Sequence, residues 1–64
     1  MKVSELIVPF NKHEQIEVVD GEVNVLAKCE IRELPAEVLD REIFSTSVSY
    51  DDYNDYATLF VLVK

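Results

Sequence analysis

The sequence predicts a small α+β domain with a four-stranded, mainly antiparallel sheet and one or two short helices, in the order α-β-β-α-β-β. Three observations carry this prediction. An Asp-Gly turn separates two alternating segments at 16–32, a proline-led helical pattern covers 33–41, and two strand-like segments cover 44–50 and 56–63. A chain of 64 residues accommodates one domain, so we take 1–64 as that domain.

The first element is predicted to be a single helical turn that begins near Ser4. The apolar run Leu6-Ile7-Val8 follows, and Pro9 would clash with the carbonyl group four residues earlier in any longer helix. An added edge strand is the alternative for this segment.

The second and third elements are predicted to form a hairpin around Asp20-Gly21. Both central residues of a type I′ turn need φ > 0, which Asp-Gly tolerates, and a two-residue loop pairs Val18 with Val23. One face of this hairpin is mostly polar, and the other is an apolar set of Ile16, Val18, Val23, Val25, Ala27, Cys29 and Ile31. We therefore expect Cys29 to be a small core residue rather than a reactive thiol.

The segment from Glu33 to Arg41 is predicted to contain one or two turns of helix. Pro35 suits the first helical position, and Glu37 suits the positive end of the helix dipole and an i,i+4 pair with Arg41. An apolar edge that can cover the sheet consists of Leu34, Val38 and Leu39.

The last two elements are predicted to be strands. The segment 44–50 alternates between serines and larger side chains, which is typical of a half-buried strand. The segment 56–63 is apolar on both sides, which indicates either a central strand or an edge strand buried between two copies. Two registers remain open: a five-residue loop pairs Tyr50 with Tyr56, whereas a four-residue loop pairs Tyr50 with Ala57 and sends Phe60 and Leu62 to the serine side.

The charge of the chain favours basic partners. Thirteen acidic residues stand against six lysines and arginines, for a net charge of −7, and residues 33–64 carry seven of the acids with only two of the bases. Such a field repels nucleic acid and steers encounters with basic protein surfaces. Solubility alone is the competing explanation.

The inventory of reactive side chains is too small for most active sites. One histidine and one cysteine cannot supply a structural zinc site, and a single glycine cannot build a phosphate-binding loop. The acidic segment 51–55 lacks the glycine and the bidentate glutamate of a calcium loop in either reading frame. We expect no enzyme activity, no cofactor and no bound metal.

The residues predicted to bind a partner are acidic or aromatic. Tyrosine interleaved with aspartate suits an arginine-rich surface through charge and cation–π contact. The predicted set is Asp51, Asp52, Tyr53, Asp55, Glu37 and Asp40. The alternative is structural, with Tyr50 and Tyr56 packed as a cross-strand pair.

The surroundings of the protein are predicted from similar arguments. No segment approaches the roughly 20 apolar residues of a membrane-spanning helix, so no membrane partner is expected. One unpaired cysteine suits a reducing cytosol, which predicts a cytoplasmic location.

The chain also resembles a group of short proteins encoded by phages and prophages of low-GC Gram-positive bacteria. The resemblance rests on Val3-Ser4-Glu5-Leu6-Ile7, on Ile16-Glu17-Val18-Val19 and on the run from Glu33 to Ile43, within which Leu34-Pro35 and Leu39-Asp40-Arg41 are the distinctive part. The chain departs from the group at Val8-Pro9-Phe10, where the first helix usually continues. The group has no assigned activity, so no site residues carry over.

The resemblance implies an accessory phage product that works in the host cytoplasm. Together with the charge, it predicts a non-enzymatic inhibitor of host defence that binds a basic surface of a host protein. The alternative is a homo-oligomeric protein, either structural or binding a small ligand, that forms a homodimer through its last strand.

Overall fold

Four strands and three short helical segments build the domain in the predicted order. The computed structural model describes residues 1–51 and 56–64, with only the backbone described at Asp51 and Tyr56. The elements are α1 (Val3–Leu6), β1 (Gln15–Val19), β2 (Val25–Glu30), a 3₁₀ turn (Ile31–Glu33), α2 (Ala36–Leu39), β3 (Ile43–Asp51) and β4 (Tyr56–Val63). The α+β fold class is confirmed.

The four strands form one mixed sheet in the order β2-β1-β4-β3. Both hairpins, β1–β2 and β3–β4, are antiparallel, whereas β1 and β4 run parallel at the centre. The last strand is therefore the predicted central strand, with hydrogen-bonded neighbours on both sides. Since β4 has no free edge, the prediction that two copies pair through the last strand does not fit this sheet.

The core lies between the central strands and the helical segments. Ile16, Val18, Leu59 and Val61 point to the same face of β1 and β4 and are almost fully buried. The remaining buried residues come from the helical segments above them and from the end of β4; they are Val3, Ile7, Ile31, Leu34, Val38 and Val63. The predicted apolar edge around α2 is confirmed, because Leu34 and Val38 are buried and Leu39 packs beside them.

The first hairpin has the predicted strands but not the predicted turn. Val18 pairs with Ala27 rather than Val23, and a register shift then pairs Val19 with Val25. Residues 20–24 form the connection, and the positive φ of 65° belongs to Val23, not to Gly21. Val23 and Val25 leave the apolar face and are 81% and 57% exposed.

Asp20 explains why the longer turn forms. Its carboxylate accepts the main-chain N–H groups of Glu22 and Asn24 at 2.9 and 3.0 Å, and the Asn24 side-chain amide at 3.2 Å. Its main-chain carbonyl also accepts the Val23 N–H at 3.0 Å. An aspartate that binds its own following backbone competes with the tight Asp-Gly turn. Compared with the predicted two-residue loop, the partner of Val18 moves by four residues, from Val23 to Ala27. Because successive side chains alternate between the two faces, an even shift leaves Ala27 and Cys29 on the predicted face.

The stability of this turn is expected to depend on pH. The Asn24 N–H is the main contact that lowers the pKa of Asp20, aided by the Asn24 amide and the Glu22 N–H and opposed by partial desolvation. A lowered folded-state pKa contributes stability at neutral pH that is lost as the pH falls below about 4. Asp20→Asn should therefore lower the free energy of unfolding at pH 7, by a margin that shrinks towards pH 3.

Urea denaturation between pH 7 and pH 3 measures that margin. Glu22→Gln is the matched control, because it neutralises an exposed acid in the same turn whose carboxylate accepts no hydrogen bond within the described chain. A constant difference between the wild type and Asp20→Asn across this range would contradict the assignment.

The second hairpin resolves the register that the sequence leaves open. Tyr50 pairs with Ala57 and Asp51 with Tyr56, so the connection has four residues. Ser45 and Ser47 accordingly lie opposite Leu62 and Phe60, on the face of the sheet away from the helices. In this register Tyr50 is directly opposite Ala57, and Tyr56 is directly opposite Asp51.

Candidate protein-interaction surface

The predicted partner-binding acids fall into two groups at different places in the fold. Asp52, Tyr53 and Asp55 lie outside the described residues, between β3 and β4 in the sequence. Asp51 is the last residue of β3, where only its backbone is described.

The other two predicted acids belong to α2 and the residue after it. Glu37 and Asp40 are both exposed, and the Asp40 carboxylate lies 4.0 Å from the Lys2 ammonium group. Asp40 is three residues before the start of β3, whereas Asp51 ends that strand. A nine-residue strand spans about 26 Å at about 3.3 Å per residue, so Asp40 and Asp51 lie near opposite ends of β3.

The exposure of strand β3 is a surface feature that the sequence pattern does not predict. The strand was predicted to be half-buried, but the helical segments cover β1 and β4 and leave β3 open. Its large side chains are consequently well exposed, with Phe44 at 69%, Val48 at 64% and Tyr50 at 57%. These exposed apolar and aromatic groups on an edge strand make β3 a candidate interaction surface.

The free side of β3 begins just after its first residue. The Ile43 N–H donates to the Met1 carbonyl at 2.8 Å, and the Glu42 carbonyl accepts the Lys64 N–H at 3.0 Å. The C=O and N–H of one trans peptide point in opposite directions, so Met1 lies on the side of β3 away from β4. Met1 and Lys2 therefore cover the start of the edge, and 44–50 remains as the strand segment beside which no other described strand runs.

The face of the sheet away from the helices carries a shallow depression of about 140 Å³. Its lining combines apolar and hydroxyl side chains; the residues are Val19, Ser45, Thr46, Ser47, Phe60, Val61 and Leu62. Small-molecule sites commonly enclose about 300–1,000 Å³. This depression therefore suits a packed side chain better than a whole ligand.

A second, wider depression of about 480 Å³ lies at the end of the sheet where β1 begins. His13, Glu14, Gln15 and Ala57 line it. The His13 imidazole is already engaged, because its Nδ1 lies 3.5 Å from a Glu30 oxygen that also accepts the Arg32 Nε–H at 2.7 Å. The Arg32 hydrogen bond is the main cause that lowers the pKa of Glu30, and His13 adds to it.

The remaining candidates for chemistry are weak. Cys29 is half-buried against the core as predicted, and burial, followed by the charges of Glu33 and Glu30, raises the pKa of its thiol. A raised pKa keeps the thiol protonated and a poor nucleophile at neutral pH. Among the described residues, no group of three or more His, Cys, Asp or Glu side chains is arranged to hold a metal ion.

Ion pairs within the described residues engage three of the six lysines and arginines. Besides the contacts of Lys2 and Arg32, Lys28 lies 3.8 Å from Glu17. Arg41 does not form the predicted pair with Glu37; its guanidinium group donates to the Lys64 carbonyl at 2.8 Å. Several exposed carboxylates accept no hydrogen bond and form no ion pair within the described residues; they are Glu14, Glu22, Glu33 and Glu37.

Comparison with protein families, with curated proteins and with solved structures finds no match to this chain. Within the described residues, no helix has the length and apolar character that crossing a membrane requires. The functional argument therefore rests on the surface of the domain itself.

Proposed function

We propose that this protein is a non-enzymatic, acidic interaction protein that binds a basic surface of another protein. The observation that carries the proposal is the distribution of charge. Internal ion pairs engage the cations Lys2, Lys28 and Arg32, while carboxylates such as Glu37 remain exposed and without an ionic partner in the described chain. A surplus of negative charge at the surface steers association with a positively charged surface.

The β3–β4 hairpin is the strongest part of this surface. Residues 43–63 contain Asp51, Asp52 and Asp55 and no lysine or arginine. The same hairpin exposes Val48 and Tyr50, which supply apolar and aromatic contact area next to the charge. Interfaces combine these two contributions, since aromatic anchors provide affinity and charge provides rate and specificity.

The phage resemblance completes the proposal. A host protein with a basic face, such as an enzyme of nucleic-acid defence, is the class of partner that an acidic phage product would inhibit. The location that follows is the host cytoplasm. The expectation that the chain has no catalytic activity of its own is part of the same proposal.

The test is affinity capture from a nuclease-treated lysate of a low-GC Gram-positive bacterium, at low and at high salt. We expect one stoichiometric basic protein that is retained at low salt and released at high salt, because salt screens exposed charges. The triple variant Asp51→Asn, Asp52→Asn, Asp55→Asn should weaken its capture by about tenfold or more, which corresponds to about 1.4 kcal/mol.

A matched control separates a specific site from general acidity. The triple variant Glu14→Gln, Glu22→Gln, Glu33→Gln removes the same amount of charge from exposed positions outside the hairpin. It should retain the partner. Equal losses in both variants would show attraction by net charge alone, and the absence of a basic partner at either salt concentration would overturn the proposal.

A further inference from the structure

We infer that two copies of the chain pack face to face through the uncovered side of the sheet, about a two-fold axis that runs parallel to the strands between β1 and β4. Side chains on one face of the sheet make this contact, and no strand edge takes part in it. The inference does not rest on the proposed function, because it concerns the chain alone and leaves the helical segments of both copies on the outside.

The uncovered side of the sheet is the side opposite the helical segments. Ile16 and Val18 of β1 point to the helices and are fully buried, so Gln15, Glu17 and Val19 point the other way, because successive side chains of a strand alternate. Directly paired residues share a face, and these pairs lie in regular parts of the sheet, since the register shifts occur beyond Val18 in β1–β2 and before Ser45 in β3–β4. The other members of the uncovered side are Thr58, Phe60 and Leu62 of β4, Ser45, Ser47 and Ser49 of β3, and Lys28 and Glu30 of β2.

One end of the uncovered side is apolar. Val19 pairs with Leu62, and Phe60 lies two residues before Leu62 on the same face. All three side chains are partly exposed, and none of them is among the apolar residues that form the core or pack against it. They line the depression of about 140 Å³ together with Ser45 and Ser47. This end of the sheet therefore offers apolar surface with room for the side chains of a second protein surface.

The charges on the uncovered side are balanced, unlike those of the chain as a whole. Of its described acids, Glu17 lies 3.8 Å from Lys28, and Glu30 accepts the Arg32 Nε–H at 2.7 Å. Acids without an ionic partner in the described residues, such as Glu37 in α2, belong to the helical segments on the opposite side. A chain with a net charge of −7 repels its own copies, so a second copy can approach where little surplus charge remains. A basic partner gains nothing from this balanced side, which favours a second copy as its occupant.

The position of the apolar end selects the symmetry axis. A two-fold axis parallel to the strands exchanges β1 with β4 and β2 with β3, and it places Val19 of one copy over Leu62 of the second copy. The strands of the two sheets then stay aligned, as in common sheet-on-sheet packing. An axis across the strands would instead place this apolar end over the polar end of the second copy, at Gln15 and Thr58. Burial of apolar surface therefore favours the first axis.

The same axis gives the charged residues acceptable neighbours. Lys28, whose side chain is 73% exposed, lies over Ser47 of the second copy, and a serine hydroxyl can accept its hydrogen bond. Glu17 lies over Phe60 of the second copy. Its side chain is only 19% exposed in one copy, so most of its contact with water is already lost before the two copies meet. Covering the Glu17–Lys28 pair therefore adds little to the cost of desolvation.

The size of the domain predicts a weak dimer. Its two longer dimensions, 31 and 23 Å, give a cross-section of about 700 Å², slightly below the roughly 800 Å² per partner of a standard specific interface. A flat side of the domain does not exceed this cross-section by much. We therefore expect monomer and dimer in equilibrium, with a dissociation constant in the micromolar range or above.

The test is sedimentation velocity of the purified full chain from micromolar to millimolar concentration. We expect the dimer fraction to rise over this range in the wild type. Ser47→Lys places a lysine over Lys28 of the second copy at both ends of the contact and should weaken the dimer by about tenfold or more, equal to about 1.4 kcal/mol. Val48→Lys is the matched control, because Val48 is the next residue of β3, is 64% exposed and points to the helix side, as its partner Leu59 does. It should leave the dimer intact.

A pair of variants tests the axis. Val19→Lys and Leu62→Glu each place a charge without a partner at the apolar end and should each give a monomer. An equimolar mixture should form a heterodimer, because the new lysine then lies over the new glutamate in one contact while the Val19–Leu62 contact is kept in the other. Circular dichroism confirms that each variant is folded before mixing.

Three outcomes would overturn the inference. They are a wild type that stays monomeric at every concentration, a dimer that Val48→Lys weakens as much as Ser47→Lys, and a mixture of folded Val19→Lys and Leu62→Glu that stays monomeric. Because the purified chain alone is measured, none of these outcomes depends on whether a basic partner is captured from a lysate.

Discussion

Ile16→Ala is expected to unfold a large part of the protein at 25 °C. Ile16 has no exposed surface and sits in β1 between Cys29 of β2 and Leu59 of β4. Truncating a buried isoleucine costs about 2–5 kcal/mol, because apolar burial is lost and a cavity remains. At about 0.05–0.15 kcal/mol per residue, a domain of this size has a total stability of only about 3–10 kcal/mol.

Urea denaturation followed by far-ultraviolet circular dichroism measures this loss. Val25→Ala is the control, because Val25 also lies in a strand of the same hairpin but is 57% exposed, and its change should stay within about 0.5 kcal/mol. A loss below about 1 kcal/mol for Ile16→Ala would contradict the position of Ile16 at the centre of the core.

Val38→Asp is expected to detach α2 from the sheet and to cost about 3–5 kcal/mol. Val38 is 4% exposed, and the substitution places a carboxylate among the apolar neighbours of the core. A helix of four residues does not form alone in water, so α2 exists only because its apolar side is buried. Losing that burial should also expose the neighbouring Leu34.

Ala36→Asp is the control that separates the effect of an added negative charge from the effect of placing that charge in the core. Ala36 is exposed in the first turn of the same helix, where an acid is favourable to the helix dipole. The two variants have the same net charge, yet only Val38→Asp should lower the midpoint of urea denaturation. Equal midpoints would show that α2 contributes little to the stability of the core.

Local patterns were sufficient to predict the elements and their faces. Alternation at β1 and β2 placed Ile16, Val18, Ala27 and Cys29 on one face, and the structure confirms that these four share it. Pro35 predicted the start of α2 to within one residue, since Pro35 is the cap rather than the first helical residue. These features depend on neighbours in sequence, so they could be predicted from the sequence alone.

The turn at Asp20 could not be predicted from its dipeptide signal. Asp-Gly favours a two-residue loop, but the Asp20 carboxylate gains more by accepting N–H groups of Glu22 and Asn24. The longer turn is favoured over the two-residue loop by hydrogen bonds within residues 20–24 and by the pairing of Val19 with Val25 on either side of them. A left-handed Val23 is the result, although a β-branched residue disfavours that conformation.

In the candidate surface, too, some features depend on neighbours in sequence and others depend on contacts between distant segments. The acids Glu37, Asp40 and Asp51 are visible in the sequence, but the sequence does not show that the length of β3 separates Asp40 from Asp51. The exposure of Val48 was also hidden, because alternation shows that a strand has two faces without showing which neighbours cover them.

The sequence by itself determined the order of the helices and strands, the shared face of Ile16, Val18, Ala27 and Cys29, and the strong acidity of the domain. Only the tertiary structure decided that β4 lies at the centre and β3 at the edge. The physical reason is that periodicity and turn chemistry act over a few residues, whereas strand order depends on which strands the helices can cover. Ile31, Leu34 and Val38 cover β1 and β4, and β3 is left open as part of the candidate interaction surface.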